Sequence, residues 1–496
     1  MGIIIQRSGY TAMLSYLGFF IGYVNMLWLF PYAFRPEEIG LIRLLLAVAA
    51  LFATLFSFGG SQVATKFFPY FKETIQRRSA FFRFLCSLAL IGVILFTAVF
   101  TCFHNNIIDI YARKSPLFII YLWYLLPFTA SLIFYGIIEA FIVVQGYPLV
   151  PTLLREIYTR ILLTITSIVF LAALISFSGF IGLVCLLYCI APVMLFFYAR
   201  TKGLVPFTGT VRGIHRKEIN EISQFGTFAF LGNAGAVLLA NIDSVVLSAY
   251  SGLASTGIYG IALFIAVIIE VPKRSLSQVL IPLVVKANKD HDMKILDVLY
   301  KKSSINQFLI GTVIFLVIWL NIDGIFSLIP HGDIYREGKW IVFFISLAKL
   351  FDMLTGINAE IVGTSRYYKI DLLFFSIISL IGISLNFLLI PLYGIIGAAL
   401  AVLLSTVLYN TTRFIFIALV MKIQPFTEKT IVAGSCAALT YGVILFVPVT
   451  NITVIDIGLR TVFIGVIFGG LILSLHVSED ISQTFHKIVV RFYSHE

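Results

Sequence analysis

Residues 372–420 read LLFFSIISLIGISLNFLLIPLYGIIGAALAVLLSTVLYNTTRFIFIALV, and Arg413 is the only charge among them. As one unbroken helix this stretch would be roughly 70 Å long, more than twice the thickness of a bilayer's hydrocarbon core. Pro391 and Gly394 lie near its middle, where a proline removes a helical hydrogen bond and a glycine tolerates a sharp turn. The stretch therefore predicts two membrane spans, 370–391 and 394–420, joined by a tight corner.

The same pattern of apolar runs broken by charge or by Pro and Gly extends over the whole chain. It predicts further spans at 9–30, 39–62, 81–103, 117–145, 150–176, 178–199, 222–249, 254–285, 303–322, 340–362, 430–449 and 457–477. Only the Ser178-Gly179 corner separates the fifth span from the sixth. Of the 496 residues 60% are hydrophobic and 12% charged, whereas a soluble domain carries about a quarter charged residues. A water-soluble globular protein is excluded. The expected fold class is an all-α polytopic membrane protein of about 14 transmembrane helices. The run after Arg7 is longer than a signal-peptide core and has no small-residue cleavage site behind it, so it is read as the first span.

The formal net charge of +11 would suit a nucleic-acid partner in a soluble protein, but here it sorts by loop. Loops on the face of the N-terminus hold 22 Lys and Arg, including Lys66, Lys72, Arg77, Arg78, Arg200, Lys202, Arg212, Arg216, Lys217, Lys487 and Arg491. The opposite face holds five: Arg35, Arg113, Lys114, Arg336 and Lys339. By the positive-inside rule both termini are cytoplasmic, and the excess specifies topology with no nucleic acid implied.

Landmarks recur at a nearly constant interval. Gly40-Leu41-Ile42 resembles Gly257-Ile258-Tyr259, 217 residues on, and Ser61-Gln62-Val63 returns as Ser277-Gln278-Val279 after 216. Gly136-Ile137 matches Gly356-Ile357, and Gly179-Phe180-Ile181-Gly182 matches Gly394-Ile395-Ile396-Gly397. A duplication of six spans is expected, giving two parallel six-helix lobes around a central cavity plus two C-terminal helices. The expected limits are 1–199 for the N-terminal lobe, 200–221 for a cytoplasmic linker, 222–420 for the C-terminal lobe, and 421–496 for the last two spans and a cytoplasmic tail.

A charge at mid-bilayer costs about 2.5–3.5 kcal/mol on insertion scales, so each asks for a partner or a wet cavity. The candidates are Arg43, Glu139, Arg160, Asp243, Glu270, Lys349, Asp352, Glu360 and Arg413. Glu139, Glu360 and Arg413 lie near span ends and are read as snorkelling to the interface. Lys349 and Asp352, three apart, share a helix face; an internal ion pair holding the bundle together and a substrate or ion site are both open. Arg43, Arg160 and Lys349 are the candidates for binding an anionic substrate, because a guanidinium binds phosphate oxygens in pairs while staying charged. Asp243, Glu270 and Asp352 are the candidates for ion coupling, with H+ or Na+ as the ion and no cofactor implied.

Other chemistry finds no footing. Cys86, Cys102, Cys185, Cys189 and Cys436 have no metal-ligand spacing and read as core or lipid-facing thiols. Asp290-His291-Asp292 has the form of a metal-binding acidic triplet but stands in a Lys-rich loop, as a solvated charged segment. No phosphate-binding Gly-Lys loop or nucleophile elbow occurs, so an enzyme is not expected.

Two stretches resemble a known family. They are Leu239-Ala240-Asn241-Ile242-Asp243 continuing through Gly257-Ile258-Tyr259, and Leu385-Asn386-Phe387-Leu388-Leu389-Ile390-Pro391-Leu392-Tyr393-Gly394-Ile395-Ile396-Gly397-Ala398-Ala399. They resemble the O-antigen and exopolysaccharide flippases of the multidrug/oligosaccharidyl-lipid/polysaccharide exporter (MOP) superfamily. The resemblance implies fourteen helices in two lobes with alternating access to a cationic cavity. It implies as substrate an oligosaccharide joined through a diphosphate to undecaprenol, carried from the cytoplasmic to the periplasmic leaflet of the bacterial inner membrane. The lipid tail would stay in the bilayer, flanked by the last two spans, and membrane lipids and other polysaccharide-assembly proteins would be the partners. Asp243 falls on the family's acidic position in span seven, and Arg43 matches its general pattern of cavity arginines. The first span departs from that pattern, having no cation beyond Arg7. A multidrug or organic-cation antiporter of the same superfamily is the alternative, and a membrane-embedded polysaccharide polymerase a more distant one.

Overall fold

A computed structural model describes residues 2–205 and 214–483; the middle of the expected linker, with Arg212, and Lys487 and Arg491 of the tail lie outside them. Every regular element among the described residues is a helix. The protein is an all-α, multi-pass membrane protein. Among the described residues nine helices are long and apolar enough to cross a bilayer, and one of them, Tyr368–Met421, covers two of the expected spans. The other expected spans, at 150–176, 222–249, 340–362 and 430–449, coincide with helical segments that are shorter or more highly charged, such as Arg216–Tyr250, Lys339–Leu354 and Glu428–Ile444.

The stretch 372–420 bends where the sequence puts its punctuation. Gly394 has φ 57° and ψ −129°, outside helical space, while the residues on either side continue as helix. The corner is tight. A Cβ on Gly397 would lie 2.1 Å from the carbonyl oxygen of Leu389, so the chain turns back over itself only because that residue has no side chain.

The chain divides into two compact units, Met1–Gly260 and Ile261–Glu496. In lipid, apolar burial does not by itself pull helices together, and association relies on close packing and internal polar contacts. The first unit is packed by rings and by glycines. Phe71 and Phe81 stack at 4.6 Å, Phe82 meets Phe141 at 4.8 Å, and Phe34 lies between Phe170 and Phe180 at 4.9 and 4.7 Å. Gly92 lets the helix Ile75–Cys102 press against Phe56, whose carbonyl oxygen is 2.0 Å from where a Cβ would stand. At the helix starts Pro36 and Leu253, Gly40 and Gly257 lie back to back in the same manner.

In the second unit a buried cluster around Tyr300, Ile357 and Ile361 joins Met293–Leu320 to the segment Asn358–Gly363. A second cluster, with Leu309, Leu316, Cys436, Ile464 and Phe468, packs the helices Glu428–Ile444 and Thr453–Ser474 on the other side of Met293–Leu320.

Candidate functional site

Among the described residues of the first unit, two charged clusters hold the sequence-predicted candidates. In one, Arg43 on the helix Pro36–Phe56 reaches the helix Arg216–Tyr250. Its Nε donates to Ser244 Oγ at 2.9 Å and its Nη2 lies 3.8 Å from Asp243 Oδ2. Ser244 in turn donates its backbone N–H (2.6 Å) and its hydroxyl (3.1 Å) to Asp243 Oδ1. The guanidinium carbon stands 5.5 Å from the centre of the Tyr259 ring, and Gly260 makes room, since a Cβ there would come within 3.1 Å of Arg43 Cδ. Asp243 is buried; Arg43 is less completely so. Two residues 200 positions apart thus form one polar group, held by a serine that touches both.

Arg160 builds the second cluster. A turn of π-helix at Leu154–Tyr158 precedes it, and its Nη2 pairs with Glu156 Oε2 at 3.0 Å. The first helix accommodates this segment with small residues on one face. A Cβ on Gly18 would lie 2.5 Å from the Glu156 carbonyl oxygen, and one on Gly22 would lie 3.3 Å from Arg160 Cδ. One turn further on, Asn25 donates to the Arg160 carbonyl at 3.1 Å and accepts from Thr164 at 2.9 Å. The first span lacks its own interior cation, yet Arg160 is laid against it. One guanidinium nitrogen, Nη1, is buried with no hydrogen-bond partner among the described residues. A buried donor left without an acceptor costs more than a neutral one, because its charge-assisted bond to water has been removed.

The second unit carries a two-rung ladder of ion pairs. Glu270 ends a short 3-10 turn, and Lys273 and Arg274 follow on Val271–Lys289. Lys349 and Asp352 lie on Lys339–Leu354. Lys349 Nζ meets Glu270 Oε2 at 2.6 Å, and Lys273 Nζ meets Asp352 Oδ2 at 2.5 Å. Arg274 also touches Glu270, at 3.2 Å. Lys349 and Asp352 do share a face, as their spacing predicts, but they do not pair with each other. At (i, i+3) both side chains project in the same direction, and each finds a better-aligned opposite charge across the helix boundary. Asp352 Oδ1 additionally accepts from Asn410 at 3.1 Å, and Asn410 Oδ1 accepts from Thr355 at 3.0 Å and Asn358 at 2.8 Å.

The residues read as snorkelling behave differently. Arg413 is buried and binds Asp371 through two nitrogens, at 2.7 and 3.0 Å, with its guanidinium 3.8 Å from the Tyr409 ring centre. The partner, one helix back in sequence, replaces the interface as its source of solvation. Glu139 pairs with Arg155 at 2.8 Å. Glu360 has one buried oxygen with no partner among the described residues.

All six residues singled out from the sequence lie in these clusters, but not in one. Arg43 and Asp243 come together; Arg160 stands apart from them; Lys349, Glu270 and Asp352 form the ladder. Sequence reasoning missed Glu156, Lys273, Arg274, Asp371 and Asn410. The available signal was spacing: Glu270 and Lys273 repeat the three-residue interval of Lys349 and Asp352 with signs reversed. No group of three or more His, Cys, Asp or Glu able to hold a metal occurs among the described residues.

Comparison with solved structures places this fold. It is similar to the lipid II flippase MurJ in an inward closed conformation, with a TM-score of 0.73 and 16% identity over 96% of this chain and all of that one. It is similar also to an inward-facing multidrug resistance MATE family transporter of the MOP superfamily, with a TM-score of 0.65 and 15% identity over 84% of this chain and 98% of that one. Among curated proteins, the capsular polysaccharide biosynthesis protein CapF of Staphylococcus aureus is 31% identical over 174 residues, 34% of this chain. The match spans 42% of that relative's length. The sequence profile described as "Polysaccharide biosynthesis protein" matches residues 4–288, more than half of the chain. With the fold of MOP superfamily transporters and that match, the chain belongs to the polysaccharide biosynthesis protein family.

Proposed function

We propose that this protein is a flippase that moves undecaprenyl-diphosphate-linked oligosaccharide units from the cytoplasmic to the periplasmic leaflet of the bacterial inner membrane, by alternating access, in the assembly of a cell-surface polysaccharide. The observation that carries the reading is Arg160: a half-buried guanidinium with one buried nitrogen lacking an acceptor among the described residues suits a ligand that brings anionic oxygens. A diphosphate supplies them. An exporter of organic cations would gain nothing from such a donor, which would repel its cargo. The 22-to-5 division of loop cations supports cytoplasmic termini.

A groove in the second unit supports room for the tail of such a substrate. Along the second unit's last helix runs an apolar groove of about 580 Å³ lined by Leu309, Val313, Gly465, Phe468, Gly469 and Leu473. At Gly465, Gly469 and Gly470 an added Cβ would meet nothing within 4 Å, so this face is open. Asp243, Glu270 and Asp352 are the groups on which coupling to H+ or Na+ would act.

The test is transport. Purified protein in liposomes should move a fluorescent undecaprenyl-diphosphate glycan between leaflets, and Arg160→Ala should slow it at least tenfold while the protein stays folded. Unchanged transport in Arg160→Ala would remove the diphosphate assignment; efflux of an organic cation in place of glycan movement would establish the antiporter instead.

A further inference from the structure

A cavity of about 590 Å³ in the first unit, separate from the charged clusters, lies between the segment Gly60–Phe71 and the start of Arg216–Tyr250. Its wall combines four rings, Phe67, Tyr70, Phe71 and Phe225, with Lys66, Glu221 and Gln224. Tyr70 is 64% exposed, and its ring stands 5.9 Å from that of Phe67, which meets Phe225 edge-on at 5.7 Å. Glu218 closes one side and is already neutralised by an ion pair with Arg77. The neighbouring cations Lys72, Arg77, Arg78, Arg216 and Lys217 place the cavity on the face with the basic loops.

From this lining we infer a glycan-binding subsite, which takes one or two pyranose rings of a neutral sugar chain; the inference rests on the flippase reading above and deepens it. The volume is within the range of small-molecule sites, about 300–1,000 Å³. Pyranose rings present weakly positive C–H faces, and aromatic rings present negative ones, so an exposed tyrosine tilted against Phe67, which Phe225 backs edge-on, is a platform for stacking. Sugar hydroxyls need both donors and acceptors at the rim. Lys66 donates, Glu221 accepts and Gln224 does both. Glu221 and Gln224 are both exposed at this rim.

Charge separates a sugar from a cationic ligand here. Lys66 Nζ stands 3.7 Å from the Phe225 ring centre, so one aromatic face already carries a cation. With Glu218 paired to Arg77, the uncommitted charges are Lys66 and Glu221, one of each sign. A lining whose charges balance, on a face otherwise rich in Lys and Arg, with hydrogen-bonding groups at its edge, fits a polyhydroxylated ligand and gives an organic cation no net attraction.

The experiment uses the full chain in lipid nanodiscs and saturation-transfer difference NMR with methyl α-D-glucopyranoside, methyl α-D-galactopyranoside and N-acetyl-D-glucosamine as probes, and tetraphenylphosphonium as competitor. At least one glycoside should receive saturation at the protons of one ring face, Tyr70→Ala should reduce that signal at least fivefold, and the isosteric Glu221→Gln should weaken binding several-fold. Tetraphenylphosphonium should not compete. No transfer to any glycoside, a signal unchanged in Tyr70→Ala, or displacement by the cation would each overturn the subsite. In liposomes Tyr70→Ala should raise the half-saturating concentration of the fluorescent lipid-linked glycan about tenfold and leave the limiting rate unchanged; a lowered limiting rate with unchanged half-saturation would also count against it. A wild-type protein that binds glycosides but moves no lipid-linked glycan would support the subsite and defeat the flippase reading.

Discussion

Gly40 and Gly257 make the same contact in opposite directions. A Cβ on Gly40 would stand 1.9 Å from the carbonyl oxygen of Leu253, and a Cβ on Gly257 would stand 2.0 Å from that of Pro36. Leu253 precedes Gly257 by four residues, and Pro36 precedes Gly40 by four. The contact is reciprocal: each glycine meets the carbonyl that stands four residues before the other. It joins the very landmarks whose 217-residue separation suggests the duplication.

Replacing either glycine by alanine forces backbones apart, and overpacking of this kind costs about 1–3 kcal/mol. Thermal unfolding in detergent should show each single variant destabilised. Because both substitutions spread the same contact, the double variant should fall well short of the sum; full additivity would mean the two sites yield independently.

Arg413 and Asp371 form a buried bidentate pair. Removing one partner strands a charge, at about 3–5 kcal/mol, whereas removing both together costs much less. Arg413→Ala should therefore unfold at markedly lower temperature than Arg413→Ala with Asp371→Ala. Arg413→Lys should not restore wild-type stability, since an ammonium lacks the planar fork.

Arg160→Lys keeps the charge and loses the second donor nitrogen. In the liposome assay its half-saturating concentration for the diphosphate-linked glycan should rise about tenfold, equivalent to about 1.4 kcal/mol, with melting temperature unchanged. Equal half-saturation for lysine and arginine would show that a point charge suffices.

Asp480, beyond the last long helix, accepts from Asn306 at 2.9 Å and from Lys302 at 3.1 Å, and these bonds hold its carboxyl below the usual aspartate range. A depressed folded-state value means that its contribution is present at neutral pH and is lost only as pH falls through that value. Hydrogen exchange over 477–483 should be flat from pH 8 to pH 5, after correction for intrinsic rates, and rise only under stronger acid. Loosening already at pH 6 would point to another group. Both partners are about half exposed, so high salt should weaken the attachment as well.

Much of this is legible in the sequence. The bend at Gly394 follows from Pro391 and a length no single span can use, and Arg43 and Asp243 each stand out as charges in apolar runs. Their pairing does not follow, because it depends on how two helices 200 residues apart are rotated. The same reason hid Lys273, which stands beside Pro272 and Arg274 within the expected span 254–285, and Asp371, which stands at the first turn of the expected span 370–391 and gains a role only with Arg413 beside it. Arg413 was misjudged because hydropathy reports depth along a helix and says nothing of the neighbour it faces. Glu156 escaped notice for the opposite reason: it follows Arg155, and a charged pair at a span boundary invites no further question.

The ladder between Glu270, Lys273, Lys349 and Asp352 acts as a keyed joint. Sliding one helix past the other by a turn would set Lys273 against Lys349 in one direction and Glu270 against Asp352 in the other, so both shear motions meet like-charge repulsion. Whatever movement the protein undergoes, Val271–Lys289 and Lys339–Leu354 should travel through it as one stiff block, with the bending left to segments that carry no such teeth.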